Sequence, residues 1–349
     1  MKKIFLLLIL SISFAMSNTT PAQLDKLGMK YALGDGVRQD YKKSFYYFKK
    51  SAQSNYAPAL YHLGVAYENG YGVKPDMKKA LDYYLKSAKQ YYQDAEYTLA
   101  RLYDEGIKVK RDKKLAAYWY DKASKHGDMY AKRALGDMYS KGSGVPKNLK
   151  KAEEYYKDAA KKGDAFAQYK LAQMAQQGKV IPKNEREAFL WYKKAAENGN
   201  IDAINRLGEM YQNGYGVQRD LKKAFELYKK ASVYGNAKAM NNLGNLYANG
   251  YGVPQDKRKA FEYYKKSAKL GNMEGIYHLA LAYASGQGVK QNYKEATKWF
   301  KKAGEHNVQK AQYALGVAYE NGYGVKKNLH KALEWYKRAS DPTKHKFCY

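Results

Sequence analysis

Residues Ala237–Asn272 read AKAMNNLGNLYANGYGVPQDKRKAFEYYKKSAKLGN, and the same pattern returns every 36 residues along nearly the whole chain. One leucine marks the repeat in every copy. These leucines are Leu27, Leu63, Leu99, Leu135, Leu171, Leu207, Leu243, Leu279 and Leu315. No insertion or deletion interrupts the series, and nine copies cover all but the ends of the 349 residues. A period of this length is typical of a repeat architecture.

The first half of each repeat predicts a short amphipathic helix. Ala239, Leu243, Leu246 and Tyr247 fall on one face at a 3.6-residue period. Gly244 interrupts this face with a small residue, which predicts that another backbone comes close there. The helix is expected to end at Gly250, since every repeat has a glycine at this position and glycine is the usual left-handed C-cap.

The second half of each repeat predicts another short helix, which begins after an Asp or Asn cap. The caps are Asp40, Asp76, Asp112, Asn148, Asn184, Asp220, Asp256, Asn292 and Asn328. Its apolar stripe runs through Ala260, Tyr263, Tyr264, Ser267 and Ala268. Helices of about a dozen residues are marginal alone in water, so the repeats are expected to stack on one another.

The pattern A-x-x-x-L-G-x-x-Y-x-x-G-x-G-V-x-x-D-x-x-K-A-x-x-x-Y-x-K-x-A resembles the Sel1-like repeat, a relative of the tetratricopeptide repeat, over about nine tenths of the chain. The resemblance implies an all-α fold. We expect an α-solenoid of nine 36-residue helix-turn-helix Sel1-like repeats that form a superhelix. It also implies that the first helix of each repeat lines the concave side.

The two ends of the chain differ from the repeats. Residues 1–17 combine Lys2 and Lys3 with an apolar run that is too short for a membrane span, which predicts a signal peptide. We therefore expect an exported protein, periplasmic or secreted, without a transmembrane segment in the mature form. The solenoid is assigned to residues 18–340 and a short tail to residues 341–349.

Three repeats depart from the pattern. The first is degraded, as expected of a terminal repeat with one face in water. The third has Lys108 in place of the second turn glycine and Tyr91 where most repeats have glycine, and the fifth has Ala175 and Val180 at a tyrosine and a glycine position. Irregular packing is expected in the third and fifth repeats.

Basic residues recur on the second helices. The net charge is +30, and this basic stripe consists of Lys50, Lys86, Lys122, Lys194, Lys230, Lys266, Lys302 and Arg338. One interpretation is a binding site for a polyanion such as an acidic envelope polymer. The other is a solvated face on which lysine stems cover tyrosine rings. Nucleic acid is not expected as the partner of an exported protein.

Positions opposite the apolar stripe of the first helices vary from repeat to repeat, and we expect them to be free to contact a protein or peptide in the groove. The candidate partner-binding residues are Tyr61, Tyr97, Arg101, Arg133, Asp137, Tyr169, Gln173, Asn205, Glu209, Asn241 and Asn245. The alternative is that they are only solvated. Tyrosine and arginine are common anchors at such surfaces.

The sequence offers little catalytic chemistry. Its Gly-x-Gly pairs follow helices rather than strands, and its six histidines do not show metal-ligand spacing. Cys348 is the single cysteine, so no intramolecular disulfide can form. Some cysteine-rich relatives carry a β-lactamase or penicillin-binding label, but no S-x-x-K, S-D-N or K-[ST]-G motif occurs here. We predict a non-enzymatic interaction scaffold, with no catalytic, cofactor or metal residues.

Overall fold

The computed structural model describes residues 19–178 and 182–341. Within these ranges the chain forms eighteen α-helices and no strand, so the predicted all-α fold is confirmed. Helices α1 to α18 are, in order, Pro21–Leu33, Tyr41–Ala52, Ala57–Asn69, Met77–Ala88, Gln93–Glu105, Lys113–Lys125, Met129–Lys141, Leu149–Lys161, Ala165–Gln177, Glu185–Glu197, Ile201–Asn213, Leu221–Val233, Ala237–Asn249, Lys257–Lys269, Met273–Ser285, Tyr293–Glu305, Gln309–Asn321 and Leu329–Ser340. The expected signal peptide, Val180 and Cys348 lie outside the described residues.

The helices group into two compact units. The first ends at Asp164 and contains α1–α8, and the second begins at Ala165 and contains α9–α18. The division falls between the fourth and fifth repeats. In the described part of the chain, no helix is both long and apolar enough to span a bilayer.

Inside each compact unit the helices pack in chain order. The two helices of a repeat contact each other, as α3 and α4 do, and each second helix also contacts the first helix of the next repeat, as α4 and α5 do. Some consecutive first helices touch as well, including α13 and α15. The predicted stacking of neighbouring repeats is therefore confirmed within each unit.

The helix ends follow the caps expected from sequence. The side chain of Asp220 accepts a hydrogen bond from the backbone N–H of Lys223, and all nine second helices begin with the same bond. Gly250 ends α13 in the left-handed conformation, with φ 71°. Tyr91 shows that this conformation is not confined to glycine and asparagine, because it adopts φ 63° at the glycine position of its repeat.

The small residue inside the first helix is required for a different reason from the one expected. At Gly208 it is the ring of Tyr228, and not another backbone, that comes close: a Cβ on Gly208 would lie 2.7 Å from Tyr228 Cε1. Tyr228 belongs to the second helix of the same repeat and is 1% exposed. The same contact recurs at Gly64, Gly136, Gly244 and Gly316 against Tyr84, Tyr156, Tyr264 and Tyr336.

The second turn glycine is required for space as well as for conformation. Gly216 has φ 64°, and a Cβ there would overlap the carbonyl oxygen of Glu185 at the start of the preceding second helix. Gly199 has φ 87° but no atom within 4 Å of the equivalent Cβ position. Substitutions at these two glycines therefore distinguish the cost of backbone strain, which both share, from the cost of steric overlap, which only Gly216 has.

Gly216→Ala is expected to lower the free energy of unfolding by more than Gly199→Ala. Both substitutions force alanine into a left-handed conformation, at a cost of about 1–2 kcal/mol. Only Gly216→Ala adds overpacking against a carbonyl, which costs about 1–3 kcal/mol more. Urea unfolding followed by circular dichroism measures both values. Equal losses for the two variants would contradict the close approach at Gly216.

Candidate interaction surfaces

Two of the candidate tyrosines in the first compact unit are half-buried between repeats. The ring of Tyr61 on α3 lies 5.7 Å from that of Tyr84 on α4 and 5.5 Å from that of Tyr92, which precedes α5. Tyr97 on α5 contacts Tyr120, the equivalent of Tyr84, at 5.9 Å and Tyr130 on α7 at 6.2 Å. One face of each ring thus packs inside the fold, and the exposed remainder is what a partner can reach.

The candidate arginines are held by carboxylates. Arg101 Nη1 lies 2.9 Å from Glu105 Oε2, and Arg133 Nη1 lies 3.2 Å from Asp164 Oδ2. The Arg133 guanidinium also sits over the ring of Tyr130, at 5.3 Å from its centroid. Both arginine side chains remain about one third exposed, at 38% and 34%, so they can still reach a partner.

Glu68 anchors a small charged cluster beside Arg101. Its carboxylate accepts hydrogen bonds from Lys108 Nζ at 2.8 Å and from the Tyr84 hydroxyl at 2.6 Å. Burial by itself raises the pKa of Glu68, but the bonds from Lys108 and Tyr84 and the charges of Lys108 and Arg101 outweigh it, so that this pKa is lowered from its ordinary value. Lys108, which replaces a turn glycine, therefore serves as a lysine partner for Glu68.

Candidates in the second compact unit form a polar network on the first helices. Tyr169 on α9 accepts a hydrogen bond from Gln173 Nε2 at 3.2 Å, and the positive charge of Arg206 lies close to its hydroxyl. Arg206 pairs with Glu209 at 2.7 Å. Glu209 in turn accepts a bond from Asn205 Nδ2 at 2.8 Å. These side chains therefore supply many of the hydrogen bonds that each of them needs.

The expectation that Asn205 and Asn241 face a free surface was wrong. They are only 2% and 1% exposed. Asn205 Oδ1 accepts from Asn242 Nδ2 at 3.2 Å, and Asn241 Oδ1 lies 2.8 Å from His278 Nδ1. The amide oxygen of each therefore contacts the next first helix.

These two pairs belong to a series with one spacing. A side chain on one first helix bonds to the residue 37 positions later, on the next first helix. The member in the first compact unit is Asp25 with His62. Members in the second are Asn205 with Asn242 and Asn241 with His278. The position that Asp25, Asn205 and Asn241 occupy on their first helices therefore serves as a contact between neighbouring repeats.

A second series ties the buried tyrosines to the first helices. The hydroxyls of Tyr84, Tyr156, Tyr192, Tyr228, Tyr264 and Tyr336 donate to Glu68, Asp137, Gln176, Gln212, Asn245 and Glu320. Asp137 and Asn245, both candidate partner residues, therefore hold a core tyrosine. Burial raises the pKa of Tyr228 above its ordinary value, so its hydroxyl stays a donor.

The sequence contained a signal for this series that was missed. In the first and eighth repeats phenylalanine replaces the tyrosine, as Phe48 and Phe300, and the residue 16 positions earlier is Ala32 or Ala284. The acceptor is absent where the hydroxyl is absent. Tyr277 and Tyr313 were missed too, although they follow Tyr61 and Tyr97 at the 36-residue step, and they line a groove of about 660 Å³ with Tyr336.

The basic stripe lies over aromatic rings. Seven of its cations stand 4.7–5.6 Å from a ring centroid: Lys50, Lys86, Lys122, Lys194, Lys266, Lys302 and Arg338, over Tyr46, Tyr83, Tyr118, Trp191, Tyr263, Trp299 and Trp335. Lys230 has Leu227 at the corresponding place. This geometry favours the solvated face, on which lysine stems cover rings.

In the described ranges, the serine and histidine side chains named below are not arranged as an activated nucleophile. Ser51, Ser87 and Ser267 donate their hydroxyls to backbone carbonyls 30 residues earlier. His62 and His126 pair with the carboxylates of Asp25 and Glu96. Among residues 19–178 and 182–341, no group of three His, Cys, Asp or Glu side chains could hold a metal ion.

The sequence matches the Sel1 repeat at residues 25–56, 57–92, 93–128, 130–164, 165–200, 201–232, 237–272, 274–308 and 309–341. The chain belongs to the Sel1 repeat family. Sel1 repeats typically mediate protein–protein interactions and are generally non-enzymatic scaffolds. The resemblance inferred from the sequence is therefore confirmed.

Solved structures agree with this assignment. A protective antigen of uropathogenic Escherichia coli with an SLR fold is 32% identical and matches with a TM-score of 0.88, over 93% of this chain and 70% of that one. A Sel1 repeat protein from Oxalobacter formigenes is 28% identical, with a TM-score of 0.67 over 85% of this chain and 87% of that one. No curated protein matches the sequence.

The Tyr228–Gln212 pair gives a test of the second hydrogen-bond series. Gln212→Ala leaves a buried hydroxyl without its acceptor and is expected to lower the free energy of unfolding by about 1–3 kcal/mol. Adding Tyr228→Phe removes that hydroxyl and reproduces the Ala284 and Phe300 pairing, so the double variant should be more stable than Gln212→Ala alone. Urea unfolding of the single and double variants measures the coupling. Strictly additive losses would contradict it.

Proposed function

We propose that this Sel1 repeat protein is an exported, non-enzymatic scaffold that binds a protein or peptide along its first helices. The observation that carries the proposal is the row of half-exposed tyrosines and arginines in the first compact unit. Tyr61, Tyr97, Arg101 and Arg133 occupy successive first helices, and each is fixed by an internal contact while part of its side chain stays exposed. Pre-ordered anchors of this kind lose little entropy on binding.

Charge supports an acidic partner. The chain carries a net charge of +30, which attracts acidic surfaces over a long range. Arg101 and Arg133 pair with carboxylates of the scaffold, but their side chains remain about one third exposed. Arginine is well suited to pairing with a partner carboxylate because its planar fork forms two parallel hydrogen bonds.

Export is the second part of the proposal. Residues 1–17 have the charged start and short apolar run of a signal peptide. The Escherichia coli relative is described as a protective antigen, which is consistent with a location that antibodies reach. Recovery of the uncleaved full chain in the cytoplasm of expressing cells would contradict export.

A hydrolase function has little support. The described serine hydroxyls named above donate to backbone carbonyls and none is paired with a histidine, so no activated serine is assembled there. The β-lactamase label of cysteine-rich relatives is not extended to this chain. Nitrocefin turnover above background by the purified protein would overturn this part.

The binding face can be tested with substitutions that the repeat itself provides. Tyr97→Asn, Arg101→Gln and Arg133→Asn place on the first helices residues found at the same repeat positions in Asn205, Gln173 and Asn241. Combined in one chain, they should weaken capture of partners from an envelope extract about tenfold or more, because buried aromatic and arginine anchors dominate interfaces. Quantitative mass spectrometry of the captured proteins is the measurement, with circular dichroism confirming the fold.

The matched control removes the same two positive charges from the second helices. Lys86→Gln and Lys122→Gln alter the basic stripe in repeats two and three and should leave capture unchanged. Loss of capture in this control, with binding that weakens steeply as salt rises, would favour the alternative of an acidic envelope polymer on the basic stripe. Unchanged capture in the first-helix variant would exclude this face.

A further inference from the structure

The second compact unit contains a cavity of about 250 Å³, open to solvent on one side, among α13, α14 and α15. Its wall is mainly apolar. The lining residues are Ala248, Lys257, Ala260, Phe261, Tyr264, His278, Leu281, Ala282, Ser285 and Gln287. None of the candidate partner residues lies in this wall, so the cavity is separate from the surface described above.

One short side chain leaves space beside the core tyrosine of this repeat. Ala248 occupies a position at which six repeats carry Glu68, Asp104, Ser140, Gln176, Gln212 or Glu320, whereas the two other repeats with alanine there, at Ala32 and Ala284, have phenylalanine in place of the tyrosine. In several of those repeats the longer side chain reaches the hydroxyl of the core tyrosine. Tyr264 instead donates to Asn245 Oδ1 at 2.8 Å, one turn earlier. The space beside Ala248 is therefore left unfilled.

His278 gives this apolar wall a hydrogen-bond acceptor. Its Nδ1 lies 2.8 Å from Asn241 Oδ1, whose amide orientation is set by the bond from Asn241 Nδ2 to Glu274. Since Oδ1 can only accept, Nδ1 carries the proton and Nε2 is the acceptor. Within the described ranges Nε2 has no hydrogen-bond partner. Burial, assisted by the charge of Lys310, lowers the pKa of His278 to about 4, so the ring is neutral at pH 7.

The volume of the cavity and the aromatic rings in its wall determine which chemical group of a ligand fits. An apolar cavity of roughly 150 Å³ in another protein takes up benzene, so about 250 Å³ suits a ring system of indole size. Phe261 and Tyr264 offer ring faces and edges for aromatic contact. Lys257 and Lys310 make the surroundings unfavourable for a cation.

We propose that this cavity binds one planar aromatic group with a single hydrogen-bond donor, such as an indole or a phenol. The ring fills the space beside Ala248, and its N–H or O–H donates to His278 Nε2. This site does not depend on the partner-binding face proposed above. The same chemistry is available as a free small molecule and as a tryptophan or tyrosine side chain.

Isothermal titration of the purified chain with indole and with 1-methylindole tests the site. Indole should bind saturably at one site, and 1-methylindole, which has the same rings but no donor, should bind about tenfold more weakly. No saturable binding of indole, or equal binding of the two, would overturn the proposal.

Repeat-derived variants localise the binding. Ala248→Glu introduces the residue that Glu68 and Glu320 provide at this position, so it should fold, fill the cavity and weaken indole binding more than tenfold. Ala284→Glu makes the same change one repeat later and should leave binding unchanged. His278→Ala, matching Ala134 and Ala314, should bind indole and 1-methylindole equally. Full binding by Ala248→Glu would place the ligand elsewhere and contradict the assignment.

The source of the aromatic group is resolved by a second ligand, N-acetyltryptophanamide. If it binds as well as indole, and its binding is lost in Ala248→Glu, the cavity accepts a side chain carried on a peptide. If only indole binds, the cavity accepts a free small molecule. Both results support the shared chemistry, and binding of neither ligand overturns it. Capture of partners by the first-helix face is measured separately and is not affected by either result.

Discussion

The packing of one tyrosine ring against one small residue sets the spacing of the two helices in a repeat. The ring of Tyr228 lies so close to Gly208 that a methyl group there would be in steric conflict with it. The ring is almost fully buried, and its hydroxyl is tied to Gln212 on the same first helix. Ring and hydrogen bond together fix both the distance and the rotation of the two helices. The next repeat then packs on a surface whose shape is already determined.

This constraint explains why polar residues on the first helices differ so much yet remain ordered. Asn205 and Asn241 each bond to the following first helix, and Asp137 and Asn245 each accept from a core tyrosine. Their identities can change from repeat to repeat as long as donor and acceptor change together. A partner can contact only the part of these side chains that the internal bonds leave exposed.

The local structure could be predicted from the sequence because it depends on neighbouring residues. An Asp or Asn before an apolar stripe caps a helix through the amide three residues later, and a glycine after the stripe ends it. Such rules place Asp220 and Gly250 correctly without any knowledge of the fold.

Contacts between helices were less predictable. Asn205 and Asn241 were expected on a partner-binding surface because their position varies between repeats and lies opposite the apolar stripe. Their partners, however, lie 37 residues away and depend on how two first helices align. The acceptors of the tyrosines were missed because they alternate between two positions, 16 and 19 residues earlier, as Gln212 and Asn245 show. A comparison of the repeats one position at a time shows each acceptor position as variable. The combination of a tyrosine hydroxyl and an acceptor on the first helix nevertheless recurs in six repeats.

Hydrogen exchange with mass spectrometry tests whether the buried ring holds neighbouring helices together. Tyr228→Ala should remove about 3–5 kcal/mol of local packing. It should accelerate exchange about a hundredfold or more in α12, which carries the ring, and in α11 and α13, which pack against α12. Helices two repeats away, α16 to α18, should exchange as before, and so should every helix in the control Tyr234→Ala, since Tyr234 is 61% exposed. Unchanged exchange in α11 to α13, or equal acceleration throughout the chain, would contradict the account.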